Sequence, residues 1–511
     1  MPSPITLRGQ RRPVEIAPHL FLEAAPFYGE ARPADPDSEP ISVLGAGENA
    51  EGALLAAMAA HGITSEAVVE VDASVRALAT PPDDGPTTPY GEAAQRMVQR
   101  HAAPDRDYAL LYSDEGGVSR WIFPDRPSSL LPQPHQSVFE SNRLSFAIPR
   151  DGAPAPDAER EIRSLSWSRA RLLRLLSWPK EEAAGLSAYQ IAKRWEAAQR
   201  PYGLWQLVDG PLGRPAWELR GRRDPAFWEW LAEGPILLLL HGTFSTVQSG
   251  YAALLESPQL ADLRQRYGQR VIAFNHPTLH PSLRDNAESL LSAIPPQLPL
   301  TLDVVAHSRG CLLGRTVAQG EGRLQRPHLT LRKAIWLAGP QRGTRLADHE
   351  RWKALIDRAT NLLSALPSSG YHQALTTILT LVKIIGADAV GALPGLSAMA
   401  PQSAALAALN RGQSQGTTYY GIAADYRPTD PNLAALMLRR TGDELRDRFF
   451  DEPNDGIVPT AGAFDLRHPH PDFPLPPERR WQSAANSPIQ HSQLFATPAI
   501  VDQMTRWLRD V

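Results

Sequence analysis

The sequence predicts an α/β protein built on a mainly parallel sheet, with a small α+β accessory domain ahead of it. Three observations carry this. Continuous apolar runs at 236–240, 271–274, 300–305, 334–337 and 418–422 read as strands buried on both faces. Helix-like segments at 251–267, 283–293 and 311–319 separate them, the alternation that builds a parallel sheet. The chain is 511 residues long, 42% apolar and 21% charged, which is enough for a sizeable core and too long for one ordinary domain.

Taken in order, residues 1–155 read as the accessory domain, of unstated role. Strands are expected within 14–22, at 68–71 and at 144–148, and a helix over 50–61. Residues 31–40 and 79–89 are Pro-rich and turn-rich, so they read as loops. Residues 108–112 and 118–123, around a Gly-containing turn, read as a β-hairpin. The Gly45-Ala46-Gly47 run lacks the spacing of a dinucleotide-binding loop.

Residues 156–233 read as a helical, Trp-rich connecting region, with helices over 158–177 and 187–200. Its tryptophans include Trp178, Trp195, Trp205, Trp217, Trp228 and Trp230. They could bind sugars or lipid, but hydrophobic packing between domains is the plainer expectation.

The chemistry is expected at the carboxyl ends of the strands from 234 onward, where parallel sheets place their ligands. The run 300–305 leads through Ala306-His307-Ser308-Arg309-Gly310 into a helix. A Ser on a tight strand-to-helix turn between small residues is a nucleophile elbow; Ala306 stands where Gly is usual. The strand 236–240 ends in His241-Gly242-Thr243-Phe244, a turn able to supply one oxyanion-hole N–H. The candidate donors are therefore the backbone N–H groups of Thr243 and Arg309. His241 precedes the Ser and reads as structural.

A Ser hydroxyl needs a base to take its proton, and that base needs an orienting acid. Asp455 is the candidate acid, because Gly456-Ile457-Val458-Pro459 provides a turn and an apolar anchor; Asp451 and Glu452 are rivals. His491, just before a terminal helix over 498–508, is the candidate base; His468 and His470 sit in a stiff His-Pro-His-Pro loop.

Five motifs then stand in order: 240–244 (Leu-His-Gly-Thr-Phe), 306–310, 337–344 (Leu-Ala-Gly-Pro-Gln-Arg-Gly-Thr), 455–459 and 491–494 (His-Ser-Gln-Leu). On these motifs, residues 234–511 resemble the α/β-hydrolase superfamily, in the bacterial lipase and GPI inositol-deacylase-like branch. The resemblance implies a Ser308–His491–Asp455 triad working through an acyl-enzyme on carboxylic esters. It also implies a helical cap, at about 345–415, where Leu375, Ile378, Leu379 and Val382 make an apolar stripe at helical spacing. That stripe shapes an acyl site or merely packs on the sheet. A thioesterase or amidase with the same triad, and a non-catalytic hydrolase-like interaction protein, are the alternatives.

Composition narrows the partners. A net charge of −3 gives no electrostatic case for nucleic acid. One cysteine, Cys311, allows neither an intrachain disulfide nor a Cys-based zinc site, and no HExxH motif occurs. No cofactor or metal is expected, with calcium left open. The expected partner is a small-molecule or lipid acyl ester, with peripheral lipid contact allowed; the oligomeric state is not readable. No run is long and apolar enough to span a membrane, and the first twelve residues lack the apolar core of a secretory signal. Cytoplasmic residence is the default expectation, with signal-less secretion open.

Overall fold

The computed structural model describes residues 3–8, 13–23, 27–34, 50–75, 95–99, 101–113, 119–124, 143–148, 170–180, 188–221, 224–347, 356–357, 360, 368–386, 393–427 and 452–509. The chain forms two compact units. The first takes in Met1–Leu186, Lys353–Asp388 and Ala435–Leu445; the second takes in Ser187–Trp352, Ala389–Ala434 and Arg446–Val511.

In the first unit, strands β1 (Ile5–Arg8), β2 (Val14–Ala17), β3 (Leu20–Glu23), β4 (Phe27–Ala34), β5 (Thr64–Val75), β6 (Gln95–Gln99), β7 (Arg106–Ser113), β8 (Ser119–Ile122), β9 (Leu144–Ile148) and β10 (Ala170–Pro179) form two sheets. One runs β1-β4-β5-β10-β7-β8 and the other β2-β3-β6-β9. Every neighbouring pair is antiparallel. Residues of both sheets, among them Ile16, Leu20, Met97, Leu110, Phe146 and Leu173, close one apolar core. The expected hairpin is β7–β8, and the expected helix is Ala50–Ala60. Residues 31–34, expected as loop, close strand β4.

Two expectations are corrected here. Residues 170–179 are a strand, not the end of a helix, and lie between β5 and β7. The run Leu172-Leu173-Arg174-Leu175-Leu176 suits a buried helix or a central strand equally by pattern. Sheet neighbours on both sides decide it, and Arg174 is satisfied by Ser65 Oγ at 3.1 Å. Secondly, the helix Ser368–Gly386, expected within an insertion of the 234–511 domain, groups with the first unit. Its stripe residues Leu375, Ile378, Leu379 and Val382 are buried, as are Leu381 and Ile384, and it packs on Ala50–Ala60 and β7. Beside it, Asp357 and Thr360 accept from the backbone N–H and indole N–H of Trp121 at 2.7 and 3.0 Å. Most of the early part of the expected cap, residues 348–367, lies outside the described residues.

The second unit holds β11 (Gly203–Asp209), β12 (Pro215–Arg220), β13 (Ile236–Leu240), β14 (Val271–Asn275), β15 (Leu300–His307), β16 (Leu329–Leu337), β17 (Thr418–Ala423) and β18 (Arg480–Gln482) in one sheet, ordered β12-β11-β14-β13-β15-β16-β17-β18. The pairs from β14 to β18 are parallel; β11 and β12 form an antiparallel hairpin added at one side. The five expected strands are all present. From β13 the chain steps one way to β14, then returns across β13 to β15. Strand order therefore reverses between β13 and β15, the place where open α/β sheets leave a crevice at their carboxyl ends.

Of the connecting region, Ala188–Gln199 is helical as expected, but β11, β12 and the helix Pro225–Ala232 also fall within it. The tryptophans divide between the two units. Trp178 is buried in the first and Trp228 in the second, and Trp205 and Trp217 flank the core of the second. Among the described residues, no helix is long and apolar enough to cross a membrane.

Candidate active site

Ser308 follows β15 directly and caps the helix Arg309–Gln319 with φ 54° and ψ −126°. That is the left-handed side of backbone space, costly for a residue with a Cβ and tolerated where the surroundings over-determine it. The determinants are visible. Ser308 N–H donates to Leu337 O at 2.9 Å, and Cys311 N–H to Ser308 O at 2.9 Å. The register pairs Leu240 with Ala306, so the ends of β13 and β15 lie side by side. Two glycines make that approach tolerable. A Cβ on Gly310 would strike Leu240 O and stand 2.7 Å from His241 O; one on Gly242 would stand 2.9 Å from Ser308 Cβ.

The turn after β13 presents Thr243. Among the described residues, neither Thr243 N–H nor Arg309 N–H has a hydrogen-bond partner, so both candidate donors are open. His241 is buried, stacks on His276 with centroids 4.1 Å apart, donates from Nδ1 to Gly242 O at 3.0 Å and accepts at Nε2 from His276 N–H at 3.2 Å. Burial pushes its pKa down to about 3. It is a neutral strut, as its place in the sequence suggests. The Arg309 side chain is also buried and donates to Gly395 O at 2.8 Å and Pro281 O at 3.0 Å.

Asp455 and His491 meet. His491 Nδ1 donates to Asp455 Oδ2 at 2.7 Å, and His491 N–H donates to Asp455 O at 3.0 Å. The other carboxylate oxygen accepts from Ile457 N–H at 3.0 Å and Val458 N–H at 2.7 Å. Thr460 Oγ1 and Tyr426 N–H tie this turn to the chain leaving β17, at 2.8 and 2.7 Å. With Nδ1 donating, His491 Nε2 is left as the acceptor, the tautomer a general base requires.

His491 is set beside the elbow by its neighbour. His307 Nε2 donates to His491 O at 3.0 Å, and the two rings lie 4.6 Å apart. Burial first, then the charge of His491, hold the His307 pKa down at about 3, so it remains a neutral donor. Among the described residues no hydrogen bond joins Ser308 Oγ to His491; such bonds often close only around substrate. The rival histidines stay elsewhere: His470 donates to Gly412 O at 2.7 Å, and His468 is exposed. The Nδ1 of His491 is taken by Asp455 rather than Glu452, and Asp451 lies outside the described residues. No group of three or more His, Cys, Asp or Glu among the described residues is placed to hold a metal ion.

Sequence reasoning missed the residues that support these turns. His307 was passed over, although it is the residue before the Ser.

Comparison with known proteins adds three findings. A family model described as "Domain of unknown function (DUF7379)" matches residues 214–509. No curated protein matches the chain. Similar solved structures include the phospholipase PlaB from Legionella pneumophila (14% identity, 45% of each chain covered, TM-score 0.31). The chain thus spans under half of that phospholipase's length. Lipase 1 from Pelosinus fermentans is matched at 14% identity over 54% of this chain and 98% of that one, with TM-score 0.36. A structure from work on carboxylesterases of Nitrososphaera gargenis is matched at 14% identity over 60% and 100%, with TM-score 0.29.

Proposed function

The chain belongs to the family described as domain of unknown function DUF7379, its second unit resembles the α/β-hydrolase superfamily, and on that premise we propose that it is a serine hydrolase of carboxylic esters. One observation supports the reading: Ser308 has the elbow's backbone conformation at the carboxyl end of β15, and the adjacent His307 lies against His491, which is hydrogen-bonded to Asp455. Ser308 Oγ attacks the acyl carbon while His491 Nε2 takes its proton. The Thr243 and Arg309 N–H groups receive the oxyanion. His491 then protonates the leaving alcohol, water repeats the sequence on the acyl-enzyme, and Ser308 is regenerated. Asp455 holds the ring and stabilises the imidazolium. The choice of esters over thioesters or amides rests on the five-motif resemblance.

The test is labelling with a fluorophosphonate followed by turnover of nitrophenyl esters of increasing chain length. The expected outcome is stoichiometric labelling of the full chain and none in Ser308→Ala. Folded wild-type protein that takes no label overturns the reading. Preference for octanoate over acetate would place the substrate among lipid-like esters.

A further inference from the structure

The turn that carries Thr243 is held in an unfavourable conformation by two buried residues of opposite charge that the chemistry above does not use. Phe244 has φ 62°, a left-handed value unfavourable for a residue with a bulky side chain. Both of its backbone polar groups are taken by side chains. Phe244 N–H donates to Thr278 Oγ1 at 3.3 Å, and Phe244 O accepts from Arg200 Nη2 at 2.8 Å. Arg200 Nε reaches the next carbonyl, Ser245 O, at 3.0 Å.

Thr278 is itself held. Its hydroxyl donates to Glu196 Oε1 at 3.2 Å, and the same carboxylate accepts the successive N–H groups of Thr278, Leu279 and His280 and the Nδ1 of His280. Glu196 and Arg200 are i and i+4 at the end of the helix Ala188–Gln199, and both are buried. Arg200 also lies over the Trp195 ring, 4.4 Å from its centroid. Burial raises the Glu196 carboxyl, but the hydrogen bonds from His280 and Thr278 and the charge of Arg200 outweigh it and leave the group ionised. Burial lowers Arg200 only to about 10, so it keeps its charge at neutral pH.

Burying opposite charges is a poor way to stabilise a fold, because well-packed apolar residues often serve as well. These two end on a strained turn beside the elbow. We propose that Glu196 and Arg200, with Thr278 as relay, are positioning residues that hold the Thr243 N–H where an oxyanion forms. The inference rests on the hydrolase reading above.

The test compares wild type with Arg200→Met, Arg200→Lys, Glu196→Gln and Thr278→Val, each checked by thermal unfolding. The measurements are kcat and KM on a nitrophenyl ester and the inhibition constant of an alkyl boronic acid, which mimics the tetrahedral anion. Displacing one donor is expected to lower kcat about 10–100-fold in Arg200→Met, with KM within about threefold. Boronate affinity should fall in parallel, Arg200→Lys should recover part of the loss, and near-isosteric Thr278→Val should lose about tenfold. If kcat and boronate affinity of the folded variants stay within about twofold of wild type, or fall only with the folded fraction, the pair is structural and the inference is overturned. If Arg200→Met does not fold, Arg200→Lys and Thr278→Val decide by the same criteria. Wild-type protein that takes no fluorophosphonate label defeats the hydrolase reading and this inference together; labelled wild type with unaffected variants defeats this inference alone.

Discussion

Asp455 has little freedom. One carboxylate oxygen receives two backbone N–H groups and the other receives His491 Nδ1. An amide cannot accept at both ends, so Asp455→Asn is expected to reverse the His491 tautomer. With the geometry intact, kcat should fall by about 10³–10⁴, as measured by ester turnover at saturating substrate; a loss below about tenfold would remove Asp455 from the role of orienting acid. The buried histidines make a second, separable prediction. His241 and His307 hold pKa values of about 3, whereas in the unfolded chain each takes up a proton near pH 6.5. Between those values the unfolded state binds more protons, so stability falls as pH drops from about 6.5 toward 3. Each histidine should cost about 2 kcal/mol between pH 7 and 5. Urea unfolding at both pH values checks this. His307→Gln should flatten the dependence, and an unchanged slope would mean that His307 is not a source of it.

At the scale of elements, what decides the site is how closely β13 and β15 approach. The helix Arg309–Gln319 starts against the last residues of β13 because Gly310 has no side chain. Gly310→Ala pushes a methyl into backbone that cannot rotate away, and should destabilise the second unit by about 1–3 kcal/mol while slowing labelling of Ser308. A urea midpoint equal to wild type would show that the helix can shift freely. This scale also explains what could be read in advance. Strands β13 to β17 were legible because burial on both faces writes an unbroken apolar run. Strand β12, at the edge, carries Glu218 and Arg220 and is only partly buried, and β18 spans three residues, so neither leaves a pattern. The turn at Ser308 and the pairing of Asp455 with His491 could be anticipated because each residue sits in a local turn with its own chemistry. Glu196 could not: its nearest ligand in the 278–280 loop is 82 residues away, and only the fold brings them together.

For the whole molecule, the instructive error concerns the helix Ser368–Gly386. Its sequence is an apolar stripe inside a hydrolase-like stretch, and a lipase cap would have the same stripe. Periodicity reports that a face is buried, not against what. The structure places it in the first unit. A chain starting at residue 187 would therefore leave Leu375, Leu379, Leu381, Val382 and Ile384 without their packing partners. It should self-associate in size-exclusion chromatography, and deleting 353–388 as well should restore a monodisperse species. Equal dispersity of the two truncated chains would count against the assignment.

The composition of the first unit also bears on the order in which the protein can be made. Chains usually complete domains from the amino end as they are synthesised. Here the amino-terminal unit waits for a helix encoded about 200 residues beyond its last early strand, roughly 10–40 s of translation at ordinary speeds. Through that interval the faces of Ala50–Ala60 and β7 that receive the helix stand open, while β13 to β15 with their elbow have already been delivered. The sheet of the second unit is thus emitted while the unit that precedes it is still being assembled, and a nascent chain stalled before residue 388 should engage holdase chaperones through its first unit.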